Sequence, residues 1–161
     1  MYFVFPALMA IPLVWDITTL RIPNWIPLAL VGAYAVVATI VHASVPSIVS
    51  DVSCGTAVFL LTLGPFEKRW IGGGDAKLAA ATAIWLGWSS ILDYWLIASI
   101  VGGALAVGMI FFRGRPLPAI LAKQPWAARL HDPTQGIPYG VALAAAGLFQ
   151  YPHSTIWPAI I

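Results

Sequence analysis

Few side chains in this sequence can move a proton, hold a metal or attack a carbonyl. Among 161 residues there are five aspartates, one glutamate, three histidines and one cysteine. Most have a plain structural reading. Asp51 and Asp93 open the third and fifth apolar runs, where an acid serves as a helix N-cap or first-turn charge. Glu67 sits beside Lys68 and Arg69 and reads as a solvated partner. His131 and Asp132 run into Pro133, Thr134 and Gly136, which mark a turn. His42 and His153 lie far apart in sequence and suggest no metal pair, and the single Cys54 reads as a small apolar residue inside a helix. Two acids remain. Asp16 ends the first apolar run, and Asp75 follows three glycines in WIGGGDAKL (70–78) and opens the fourth. Carboxylates from two helices at one depth can divide the work of hydrolysis. One takes a proton from water while the other, protonated, donates to a carbonyl oxygen; crowding keeps the pair from ionising together.

The elements that must position these acids are read from composition. The chain is 60% hydrophobic and 9% charged, against roughly 25% charged in a soluble domain. This predicts an all-α integral membrane protein, a polytopic bundle formed by one domain over 1–161. Six apolar runs predict transmembrane helices near 1–16, 25–42, 51–65, 74–89, 92–112 and 137–158. The first run has no basic residue before Arg21, so it reads as a retained span and not a cleaved signal. With six spans, Arg21, Lys68, Arg69, Lys77, Arg113, Arg115, Lys123 and Arg129 all fall on one side, which the positive-inside rule makes cytoplasmic. Both termini then face outward, and Asp16 and Asp75 share the inner boundary although 58 residues lie between them. Trp15, Trp25, Trp70 and Trp126 fall near inner ends, and Trp85, Trp88, Trp95 and Trp157 near outer ends, as the aromatic belt predicts. The basic stretch 113–132 reads either as an interfacial amphipathic piece or as an irregular loop.

Local reading of the motif neighbours is mostly structural. Pro23 stops the first helix and leads into the second, Asn24 is placed to cap the second helix, and Arg21 can anchor at head groups. Lys77, two residues past Asp75, either tunes that acid or marks the inner interface. Gly72, Gly73 and Gly74 lack side chains and so permit the close approach of an extended peptide backbone.

WDITTLRIPN (15–24), followed by GGGDAKL (72–78) and a late IPYGVAL (137–143), resembles the type IV prepilin peptidase family, the GxGD class of aspartic membrane peptidases. The three elements occur in the family's order across nearly the whole chain. The resemblance implies that Asp16 and Asp75 are the catalytic acids. Gly72 and Gly74 match the motif glycines, Lys77 and Leu78 the rest of that motif, and Arg21, Pro23 and Asn24 the element after the first acid. It implies a multi-pass protein of the inner (cytoplasmic) membrane with its site at the cytoplasmic face. The substrate implied is a prepilin whose short basic leader precedes a hydrophobic helix. No metal, organic cofactor or nucleic acid is implied. Larger members carry an insertion with paired, zinc-binding cysteines and also N-methylate the product. This sequence resembles the compact Flp/Tad-type form, so peptidase activity alone is expected. An archaeal preflagellin-type peptidase is the nearest alternative. A small proton-coupled transporter is the alternative of another class, disfavoured by the absence of an internal repeat and by acids at the boundary instead of the midplane.

Overall fold

A computed structural model describes residues 1–160, and among them every regular element is helical. The order is α1 (Val4–Thr19), α2 (Trp25–Ile40), α3 (Val45–Glu67), α4 (Gly73–Leu86), α5 (Ile91–Arg113), α6 (Ala119–Ala122), α7 (Pro125–His131), α8 (Tyr139–Gln150) and α9 (Trp157–Ile160), with a 3₁₀ turn at Tyr151–His153 after α8. Helices α3 and α5 are long and apolar enough to cross a membrane, and α1 and α2 are shorter apolar helices. This architecture fits a membrane protein.

Several boundaries differ from those read in the sequence, each for a local reason. Helix α3 begins at Val45, before Asp51, because Ser44 is extended and its Oγ accepts the Ser47 amide at 3.3 Å, with a proline in the first turn. Asp51 is therefore not a helix cap. It is buried two turns into α3, where it accepts the Tyr34 hydroxyl at 2.6 Å and the Thr155 hydroxyl at 2.9 Å. Asp93 does lie in the first turn of α5. Helix α4 stops at Leu86 because Gly87 takes φ +70°, and a Cβ there would stand 2.5 Å from Thr155 and 2.9 Å from Asp51 Oδ1. Helix α8 ends at Gln150, so the last apolar run divides into a helix, a 3₁₀ turn and α9.

Helix α4 is the central element. It packs on α2, α3 and α8, while α1 pairs with α8 and α5 leans on α8. The α3–α4 contact is close enough that a Cβ on Gly55 would lie 2.3 Å from Ile84 and 2.9 Å from the Ala80 carbonyl. Trp85 is fully buried, in contrast to the interfacial place expected for it. Its Nε1 donates to the Leu30 carbonyl at 2.9 Å, and its ring meets those of Phe5, Tyr34 and Tyr151. A buried indole needs such an acceptor, and the carbonyl of a neighbouring helix supplies it. Cys54 is buried in the same core. The Asp51 network and the Asp75 turn lie at opposite ends of α4, about 20 Å apart for 14 residues at 1.5 Å each.

Candidate active site

Asp16 and Asp75 come together. Asp16 lies in the last turn of α1, which ends where Leu20 turns left-handed (φ 54°) and returns its amide to the Asp16 carbonyl at 2.8 Å. Asp75 lies in the first turn of α4, behind an extended Gly72. Both line one cavity of about 270 Å³ with Leu20, Arg21, Ile22, Gly72, Gly73, Gly74 and Ile137. The cavity joins a wider cleft of about 810 Å³ bounded by Phe66, Arg69, Trp70, Arg113, Gly136 and Tyr139. Asp16 is 4% exposed and Asp75 is half-buried.

Backbone amides hold one oxygen of each acid. The Gly72 amide donates to Asp75 Oδ2 at 3.2 Å, half of a capping box closed within the motif. The Gly140 amide donates to Asp16 Oδ2 at 2.7 Å, and Gly140 is the second residue of α8. Although Asp16 ends α1, its carboxylate thus sits at the N-terminus of another helix. There unpaired amides and the positive end of the dipole receive a negative group. Both candidate acids are consequently seated on helix N-termini, α4 for one and α8 for the other.

The glycines fit by close packing. A Cβ on Gly74 would lie 2.8 Å from the Ile22 carbonyl oxygen and 2.9 Å from Ile22 Cβ, so the R-I-P-N segment rests directly on the glycine turn. A Cβ on Gly140 would lie 2.5 Å from Ile22 Cδ1 and 2.8 Å from Asp16 Oδ2. Gly72 and Gly73 still line the cavity. Gly74 lines it as well and so serves both helix–loop packing and the cavity wall, while a Cβ on Gly72 would meet Asp75 Oδ2 at 2.9 Å and one on Gly73 the Phe66 ring at 3.1 Å.

The remaining motif residues fall around this core. Pro23 lies in the connection between α1 and α2, and Arg21 is exposed at the cavity rim. Asn24 occupies the N-cap position of α2, but its side chain does not cap that helix. Its Oδ1 instead accepts Lys77 Nζ at 2.8 Å, which joins the R-I-P-N segment to the G-x-G-D-x-K motif across 53 positions. His131 lies edge-on to Phe112, and Asp132 accepts the Thr134 hydroxyl at 2.7 Å and amide at 2.8 Å in a turn. Those two donors hold the Asp132 carboxyl below the usual carboxylate range, so it is spent on local structure. Among the described residues no three His, Cys, Asp or Glu side chains gather as a metal site needs.

Sequence reasoning placed Gly140, Ile22 and Ile137 inside matched elements without a part in seating the acids, and read Arg113 only as a basic residue of the inner side. A signal existed for the first three. Ile-Pro occurs at 22–23 and again at 137–138, each time just before a helix; both isoleucines line the acids' cavity, and the start of α8 reaches Asp16. Nothing in the sequence marked Arg113 beyond its charge.

An all-helical, apolar bundle that seats two acids over a small polar cavity has the means for hydrolysis within a membrane protein. The chain belongs to the type IV leader peptidase family, which matches residues 3–107. It is similar to the prepilin leader peptidase/N-methyltransferase of Aeromonas hydrophila, 34% identical over 80 residues, which is 50% of this chain and 22% of that protein. The namesake protein of Burkholderia pseudomallei strain K96243 is 38% identical over 78 residues, 48% of this chain and 20% of its own length. The match thus spans about a fifth of the curated relatives' length. No solved structure gives a significant match.

Proposed function

We propose that the protein is an aspartic endopeptidase that removes the leader of type IV prepilins of the Flp/Tad kind, with Asp16 and Asp75 as its catalytic acids. The observation that carries the reading is the shared glycine-lined cavity, to which α1 and α4 each bring one carboxylate. One acid, ionised, takes a proton from water as the water oxygen bonds to the scissile carbonyl carbon. The other, protonated, gives its proton to the carbonyl oxygen. Collapse of the resulting diol breaks the C–N bond, and the leaving amine takes up a proton. One oxygen of each acid is pinned by an amide, which leaves the second oxygen for these transfers.

The topology in this proposal has six membrane-crossing helices, outward termini and the site at the cytoplasmic face of the inner membrane. Its support is the clustering of Arg21, Lys68, Arg69, Lys77, Arg113, Arg115, Lys123 and Arg129 in connections and helix ends on the acids' side of the bundle. Helices α4 and α8 span only about 21 and 18 Å at 1.5 Å per residue, so local thinning of the bilayer accompanies this arrangement. The prepilin's hydrophobic helix lies in the bilayer and its basic leader in the cytoplasm. Peptidase activity without methyl transfer is proposed because the one cysteine of these 161 residues is buried in α3 and forms no paired-cysteine site.

The test is processing of a co-expressed prepilin by wild type, Asp16→Asn and Asp75→Asn, with membrane insertion of each verified. Both substitutions are expected to abolish cleavage. Wild-type processing by either inserted variant would remove the dyad from the mechanism, and methyl transfer from S-adenosylmethionine to the cleaved product would overturn the peptidase-only reading.

A further inference from the structure

We propose that Arg113 is a positioning residue for Asp16, acting through the Ile137–Gly140 turn; the inference rests on the peptidase reading above. Asp16 owes its placement to the Gly140 amide, and that amide is only as well placed as the turn that precedes it. The turn is fastened from α5 at two points. At the end of α5, Arg113 Nε donates to the Leu130 carbonyl at 2.9 Å and Nη2 donates to the Gly136 carbonyl at 2.8 Å. One guanidinium thereby ties the end of α7 and the entry to α8 to a long, regular helix. Three turns earlier on α5, Gly102 forms a niche for Tyr139, whose ring stands 2.4 Å from where a Cβ would be.

Between these two fastenings the chain has little freedom. Pro138 fixes one dihedral and is buried, and the Tyr139 amide closes on the Ile137 carbonyl at 2.8 Å. Gly140 comes immediately after. Arg113 also borders the cleft that Asp75 lines, so its planar fork lies beside the site without bonding to either acid. Two donors in fixed relative orientation suit two carbonyls from different segments. A lysine, with a single nitrogen on a flexible stem, cannot hold both in one geometry. Arg129, which donates to the Thr18 carbonyl at 2.9 Å, steadies the end of α1 from the other side but stands exposed on α7.

The test uses the full-length protein in vesicles with a purified prepilin, comparing wild type, Arg113→Ala, Arg113→Lys, Gly140→Ala and the double variant Arg113→Ala/Gly140→Ala. Arg113→Ala is expected to lower kcat about tenfold or more with KM within about twofold, as for a misplacement remote from the chemistry. Added guanidinium is expected to restore part of that loss, and Arg113→Lys to remain slow. In the Gly140→Ala background, loss of Arg113 is expected to cost under about twofold, because the path it serves is already broken. A raised KM at unchanged kcat, or losses that multiply in the double variant, would overturn the positioning role. A second readout is independent of activity. Hydrogen exchange at the Gly140 amide is expected to quicken in Arg113→Ala, and unchanged exchange there would equally overturn it. Asp16→Asn and Asp75→Asn run in parallel separate this outcome from failure of the dyad itself.

Discussion

Replacing Gly140 with alanine probes the seating of Asp16 at a single atom. The new methyl would stand 2.8 Å from Asp16 Oδ2, 3.2 Å from its Cγ and 2.5 Å from Ile22 Cδ1. Ordinary contact for such atoms is about 3.5 Å or more, so the carboxylate must retreat by roughly half an ångström. The Ile22 methyl is the end of a side chain and can rotate away; the carboxylate cannot move without lengthening its 2.7 Å bond to the Gly140 amide. A hydrogen bond to a charged group contributes about 1.5–3 kcal/mol, and a displacement of this order at a reacting group lowers rate by about tenfold to hundredfold. Gly140→Ala is therefore expected to insert normally, to melt at a lower temperature and to cut prepilin with kcat reduced by that factor. Ile22→Val removes the competing Cδ1 contact, so Ile22→Val/Gly140→Ala isolates the carboxylate. Its kcat is expected to stay low while some stability returns. Cleavage by Gly140→Ala within twofold of wild type, at equal protein, would refute the reasoning that Asp16 works where the Gly140 amide holds it.

Other substitutions address the surrounding frame. Gly74→Ala drives a methyl into the Ile22 carbonyl, which is backbone and cannot rotate aside; overpacking of this kind costs about 1–3 kcal/mol, and a thermal melt of purified protein should show it. Asn24→Ala and Lys77→Met each break the 2.8 Å bond between the two motifs. Their effects on processing rate are expected to match, with the double variant no worse than either single one. Asp51→Ala leaves the Tyr34 and Thr155 hydroxyls without their acceptor at the far end of α4. Stability is expected to fall by about 1–3 kcal/mol, while the kcat of the folded protein stays within twofold of wild type; a kcat loss matching Gly140→Ala would show that the two ends are coupled.

Composition and spacing made the helical bundle and its two acids legible in the sequence. Too few charges for a soluble surface, apolar runs between polar breaks and a GGGD turn were enough to put Asp16 and Asp75 at one boundary of the bundle; that both line one cavity comes from the structure. Longer-range particulars escaped it. Asp51 reads as a cap only if α3 starts beside it, and the start signal at Ser44 and Pro46, seven and five residues earlier, carries the helix past that point. Trp85 reads as interfacial from its position in the run, yet the Leu30 carbonyl lets it stay wholly inside. Asn24 has a capping residue's type and place, but a lysine 53 positions away takes its oxygen. In the last two cases the deciding partner is distant in the chain, and periodicity carries no information about it.

The bond from the Gly140 amide to Asp16 joins residues 124 positions apart. A ribosome building this chain makes the first acid 124 residues before its seat. Until α8 has formed and packed on α1, Asp16 has no helix end to receive it, even after Asp75 is in place. On the proposed mechanism, the first acid is therefore seated only once α8 has packed against α1.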